Sequence, residues 1–235
     1  MKEHTKRLLL PSLGDFIFLI VFLFLVRMLP TMLYSDGGTG WHLATGRFIV
    51  ETGSIPFNDF ISYTFPNQPW ISQYWLSDLV MYGIQNLLGY NGLAVAFAAC
   101  YGAFFLLLYH QCRNEGGSAL LAFFMALTGA CASSVQFLAR PIVVTWFMVG
   151  LYALLLERYQ KRIMSPKALW LWLLLTSVLW ANCHSGYIIG VTQVGIYFAY
   201  NLAVSMFHSQ APMRAQLADG AKTLGIGLVC VLVDV

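Results

Sequence analysis

Charge is what this chain has least of. Asp, Glu, Lys and Arg make up 10% of its 235 residues while 59% are hydrophobic; an ordinary soluble domain carries about 25% charged residues. A soluble fold has no interior large enough for so much apolar surface, so lipid is the expected solvent. Strict alternation is missing too: runs such as Phe16 to Val26 and Leu169 to Leu175 are continuously apolar, which argues against a spanning β-barrel. No small-x-small cleavage site follows the first apolar run, which is longer than a signal-peptide core and reads as a retained helix. The five cysteines, Cys100, Cys112, Cys131, Cys183 and Cys230, are odd in number and show no CxxC spacing, so they read as small buried hydrophobes in place of disulfides or metal ligands. The basic residues are scattered over separate loops with no stripe among them, which speaks against a nucleic-acid partner. There is no internal repeat and no low-complexity tract.

What is present is a succession of apolar blocks, each near the roughly 20 residues that cross a hydrocarbon core of about 30 Å. They lie at 15–34, 91–112, 118–138, 141–157, 168–183, 187–207 and 218–235. The expected fold is therefore all-α, a polytopic bundle of about seven spans forming one integral membrane domain over 1–235. A cytoplasmic N-terminus puts Lys2, Lys6, Arg7, Arg113, Arg158, Lys161, Arg162, Lys167, Arg214 and Lys222 inside, with Arg47 and Arg140 alone outside and Arg27 within a span. Cytoplasmic loops are the ones rich in Lys and Arg, so the orientation follows. The longest loop, 35–89, is then an outer segment. It opens with Gly37, Gly38 and Gly40, which favour a turn; 41–52 and 72–88 fit surface helices, and Pro56, Pro66 and Pro69 keep the stretch between them from being helical throughout. Tyr74, Trp75 and Tyr82 suit a membrane interface, and the segment reads as lying on the bilayer.

Ionisable residues near a membrane are costly and often functional. Asp36, His42 and Asp78 in the outer loop, Arg140 at the start of the fourth span, and Asn182 and His184 at the end of the fifth all fall on the outer face in this topology. One shared cavity is the expectation. Asp36, directly after the first span, could meet a substrate at the membrane surface or be a plain turn acid. His42 could serve as a general acid-base group or as an interfacial histidine, and Asp78 could join the acidic cluster or face water. Arg140 suits a phosphate bidentately, or pairs with an acid or snorkels. His184 shares the ambiguity of His42. Gly186 and Gly190, four residues apart, permit close helix packing.

These residues also stand in a pattern. The stretch SDGGTGWHLATGRFIVETGSIPFNDFISYTFPNQPWISQYWLSDL resembles the first outer loop of a large family of bacterial polytopic membrane proteins related to the GT-C glycosyltransferases, which use polyprenyl-phosphate sugars. LARPIVVTWFMVGLYALLLERYQ fits the same family, and WLLLTSVLWANCHSGYIIG resembles its W-x-N-x-H-G-G pattern. The resemblance implies a GT-C-like helix bundle in the bacterial inner membrane, corresponding to the N-terminal half of longer relatives. It implies Asp36 as catalytic base and Arg140 and His184 on the lipid-phosphate side; the residues read by themselves add His42 as a second catalytic candidate and Asp78 and Asn182 to the substrate-binding set. No cofactor is required, with room left for a divalent metal. The implied partners are membrane lipid, a polyprenyl-phosphate sugar and other membrane subunits. Two positions depart from the pattern: Gly38 stands where relatives often have the second acid of Asp-x-Asp, and Ser185 where they favour glycine. The function so implied is sugar transfer from a lipid-linked donor at the outer face. Its alternative is a truncated, non-catalytic accessory or scaffold subunit of a larger membrane complex, and a solute transporter is a weaker third reading.

Overall fold

A computed structural model describes residues 11–28 and 32–207. Among them there is no strand, and seven α-helices follow in order: α1 (Leu13–Arg27), α2 (Gly38–Thr52), α3 (Trp75–Asn114), α4 (Ala119–Ser133), α5 (Ile142–Gln160), α6 (Pro166–Cys183) and α7 (Tyr187–Phe207), with a 3-10 turn at Ser134–Gln136 after α4. Four stretches are long and apolar enough to cross a membrane: Trp75–Asn114, Ala119–Gln136, Ile142–Gln160 and Tyr187–Val204. The chain is thus an all-α membrane protein. Of the other expected spans, 15–34 overlaps α1, which ends at Arg27 and whose 15 residues rise about 22 Å. The block 168–183 coincides with the 18-residue α6, and 218–235 lies outside the described residues. Cys230 and His208 lie outside them as well.

Helix ends follow local chemistry. Ser12 and Asp15 form a reciprocal capping box at α1, while Ser118 and Ser165 cap α4 and α6, each satisfying an N–H that the helix itself leaves unpaired. The long α3 is interrupted at Gly89, whose φ of 70° and ψ of −176° lie in a region open essentially to glycine alone. The break separates 75–88 from 90–114, close to the expected division between a surface helix and a span. At α2 the expectation fails by three residues. Gly38 and Gly40 lie inside the helix, because the Asp36 carboxylate accepts the Gly38 N–H at 2.7 Å and so favours helix where the glycines suggested a turn.

The described residues form two compact units. The first comprises 11–68 and 78–143. In it α1 turns Gly14, Ile17, Val21 and Leu25 inward, and α4 meets α1 with the small-residue stripe Ala122, Ala126 and Ala130 buried on it. The opposite faces carry exposed Leu23, Phe24, Leu121, Phe124 and Met125, an apolar outside that suits lipid. Between α2 and α3 the chain is tied by Asp59: its N–H donates to Gln68 O and its carbonyl accepts from Asn67 N, both at 2.8 Å. The second unit comprises 69–77 and 144–207. Its core is Tyr152, Leu155, Leu156, Leu169, Leu173, Trp180 and Val194. Gly190 lies against this core so closely that a Cβ there would stand 2.5 Å from the Trp180 ring and 2.9 Å from that of Tyr152, the close helix packing its spacing suggested; Gly186 lies just before α7 and meets Thr145 and His184 instead. Of the cysteines, Cys183 is buried, whereas Cys100, Cys112 and Cys131 are exposed. This corrects the reading of all of them as buried; an apolar exterior hosts a thiol as readily as an interior does.

Candidate functional site

In the first unit the polar residues are arranged along one line of α2. Gly38, His42 and Gly46 are each four apart and so share a face. At Gly38 an added Cβ would stand 2.1 Å from Arg140 Nη2; at Gly46 it would stand 2.1 Å from the Asp78 carbonyl oxygen. Between them, His42 Nδ1 lies 2.6 Å from Asp78 Oδ1. The two glycines therefore let α2 sit close under a guanidinium at one end and against the α3 backbone at the other, with the imidazole bridging to α3.

Arg140 reaches Asp36 by two nitrogens. Nε donates to Asp36 Oδ1 at 3.0 Å and Nη2 to the same oxygen at 2.8 Å, while the Gly38 N–H donates to it as well. Both side chains are partly exposed, 40% for Arg140 and 32% for Asp36, so screening by solvent limits what the pair contributes to stability. Its placement is the better determined feature. Arg140 sits at the end of an irregular stretch held from three directions: Tyr101, fully buried, donates its hydroxyl to Gln136 O and Leu138 O at 3.0 and 2.8 Å, Ala139 N donates to Leu33 O, and Thr39 donates to Ala139 O. Nothing in the sequence singled out Tyr101, because a tyrosine in a span is usually read as an interface residue or as core.

His42 and Asp78 form the buried pair. Asp78 is 2% exposed, which corrects the reading that it might face water. A carboxylate so placed requires a partner, because an unpaired buried charge costs several kcal/mol. His42 supplies it, while burial pushes the Asp78 carboxyl above its ordinary value.

Asn182 and His184 stand in the second unit. Asn182 Oδ1 accepts from Trp75 Nε1 at 2.7 Å and its amide donates to Val178 O, so both ends of the side chain are engaged in packing the end of α6. Cys183 O accepts from Ser77. His184 Nδ1 lies 2.8 Å from Thr145 Oγ1 and accepts the Gly186 N–H at 2.9 Å. The Tyr74 ring is tilted against the imidazole at 5.3 Å between centroids, and its hydroxyl is 3.1 Å from Ser185 Oγ. Sequence reasoning missed Thr145 and Trp180; the signal for the tryptophan was its place in the W-x-N-x-H stretch. Among the described residues no three His, Cys, Asp or Glu side chains are grouped so as to hold a metal ion.

Fold and polar arrangement together define an α-helical membrane protein in which one partly exposed and one buried acid–base pair lie against one face of α2. Comparison with protein families, with curated proteins and with solved structures finds no match.

Proposed function

We propose that the chain is a GT-C-like membrane protein of about seven spans in the bacterial inner membrane, N-terminus in the cytoplasm, which transfers a sugar from a polyprenyl-phosphate donor at the outer face. The observation that carries this reading is the Asp36 carboxylate. Its Oδ1 is held by Arg140 and by the Gly38 N–H, while among the described residues no hydrogen bond ends on Oδ2, so the acid is oriented with one oxygen still available. In the reaction, Asp36 takes the proton of an acceptor hydroxyl; the resulting oxygen attacks the anomeric carbon with inversion, and the bond from that carbon to the phosphate oxygen breaks. The departing phosphate gains negative charge, and Arg140 is the cation at hand. A phosphate that takes the Arg140 donors also releases Asp36 from its ion pair, so donor binding and activation of the base are coupled. His42, on the face of α2 that also carries Gly38, pairs with Asp78 of α3 and holds α2 in place.

Asp36→Asn retains the shape and the acceptor oxygen but removes the base. Turnover of a polyprenyl-phosphate sugar in membranes should fall by the roughly 10²- to 10⁴-fold typical of a lost general base, with the protein still inserting and purifying normally. Full transfer by this variant would refute the assignment. The accessory-subunit reading draws support from Gly38: the space of a second acid is filled by the Arg140 side chain, leaving Arg140 satisfied at rest. In that case the variant changes no phenotype, and the wild type co-purifies with a larger membrane assembly.

A further inference from the structure

Along the seam where α1 meets α4, the two helices leave a groove of about 250 Å³. Its floor is Val21, Ala130 and Phe137, which are 3%, 4% and 3% exposed; its rim is Ile20 and Phe24 of α1, half-exposed, with the exposed Cys131 of α4 opposite. The α4 wall runs from Leu127 to Ser134, a rise of about 10 Å. It belongs to the stretch Ala119–Gln136, only 17% of whose residues are buried, so the mouth of the groove faces hydrocarbon together with the rest of that helix. Two occupants are disfavoured by chemistry. Water needs about two to four polar partners, and of the lining residues only Ser134 and Cys131 carry polar side-chain atoms. A further helix packs in a membrane through small residues; here Ala122 and Ala126 are already buried, and the outward face offers Leu121, Phe124 and Met125.

We infer that this groove holds an acyl chain of a bilayer phospholipid, laid lengthwise along the α1–α4 seam. Left empty, the floor residues would have no partner atoms on one side and would forfeit those dispersion contacts. An apolar cavity of roughly 150 Å³ already stays dry and accepts a benzene ring, and this groove is larger. Transfer out of the bulk bilayer gives the chain no hydrophobic gain, because lipid tails are as apolar as the lining. What holds it is contact with the floor and both walls at once, where an outward helix face gives contact on one side. A flexible chain can follow a slot of this volume between two helices, whereas a helix about 10–12 Å across can only lie over it. The bilayer supplies such chains in excess, so a modest preference suffices for occupancy. The assignment is independent of sugar transfer: a chain without catalytic activity would bind the lipid in the same way.

The test uses the full chain in phosphatidylcholine vesicles containing a trace of phosphatidylcholine with a diazirine midway along one acyl chain. After irradiation, adducts are located by mass spectrometry of peptides. They should fall on the floor residues Val21 and Ala130, which bulk lipid cannot reach, as well as on Met125 and Val135, which bracket the groove on α4 and are 61% and 76% exposed. Adducts on Met125 and Val135 with none on the floor would overturn the site. Cys131→Phe enlarges an exposed rim residue without entering the core and should abolish the floor adducts, whereas Cys131→Ser leaves the groove open and should keep them. Ile20→Trp closes it from the opposite wall, with the same loss expected. Floor labelling that survives both Cys131→Phe and Ile20→Trp would overturn the geometry. A diazirine-bearing polyprenyl phosphate is run in parallel; if it labels the floor and the phosphatidylcholine does not, the occupant is not a phospholipid. If mild oxidation joins Cys131 of two copies in high yield, the groove is an interface between copies. Either result overturns the assignment. Sugar transfer by Asp36→Asn bears on the catalytic reading alone, so the two can fail separately.

Discussion

Removing His42 should be the most damaging single truncation in the first unit that touches no apolar core residue. Asp78 is 2% exposed and its Oδ1 lies 2.6 Å from His42 Nδ1, so His42→Ala leaves a buried carboxylate without its imidazole. Breaking a buried pair by deleting one partner costs about 3–5 kcal/mol. A change of 1 kcal/mol moves the midpoint by roughly 2–4 °C in a chain of 150–250 residues, so the variant should melt at least about 6 °C below wild type. Asp78→Asn should cost less, because the amide carries no charge to strand and still offers His42 an acceptor oxygen. The double variant His42→Ala/Asp78→Asn should be more stable than the sum of the two losses, as expected for residues in direct contact. The assay is thermal unfolding of the purified chain in one detergent at neutral pH, followed by tryptophan fluorescence. A His42→Ala loss below about 1 kcal/mol, or strictly additive effects, would refute the claim that the imidazole compensates the buried acid.

The two glycines flanking that pair should behave differently. Gly46→Ala sets a Cβ 2.1 Å from the backbone oxygen of Asp78, whereas Gly38→Ala meets only the movable end of Arg140; thermal unfolding should show a loss of the order of 1–3 kcal/mol for the first and much less for the second. In the loop between α2 and α3, the Ser62 hydroxyl and N–H and the Ile61 N–H donate to the Asp59 carboxylate and hold its pKa below the ordinary 3.8. The folded value is the lower one, so loop order is fully present above the ordinary pKa and is lost as pH falls through the folded value. The protection of the Ile61 and Ser62 amides, measured against the intrinsic exchange rate at each pH, should fall near pH 3 relative to pH 6, and Asp59→Asn should abolish that change. For orientation, reporters fused after Arg113 or Lys161 should be cytoplasmic and one near Asn58 external; labelling of Asn58 from the cytoplasm would reverse the assignment.

The helices were legible because each is a local matter of apolar blocks and end signals: Gly89 marks the division of α3, and Ser118 and Ser165 mark two beginnings. The pairings were not. Asp36 and Arg140 are separated by 104 positions and His42 and Asp78 by 36, and nothing local states which acid meets which base. Arg140 paired with an acid was one of three readings open from sequence, and only the structure supplies the acid. Gly38 looked like a lost carboxylate; packing shows it as room for a guanidinium. Thr145 passed unnoticed because a threonine in an apolar run is indistinguishable from filler until its hydroxyl is seen between an indole and an imidazole.

The interruption at Gly89 also sets a length. An unbroken helix of 40 residues would extend about 60 Å, twice the hydrocarbon thickness of about 30 Å, and would drag either its acidic beginning or its basic end through oil. Divided at Gly89, the part from 90 to 114 rises about 37 Å, a mismatch that a modest tilt absorbs. A single residue without a side chain thus acts as the ruler of this helix: it decides how much of an apolar stretch belongs to the bilayer and how much is free to lie elsewhere. Substituting Gly89 with any other residue would put in question the depth at which the protein sits, without touching a single polar group.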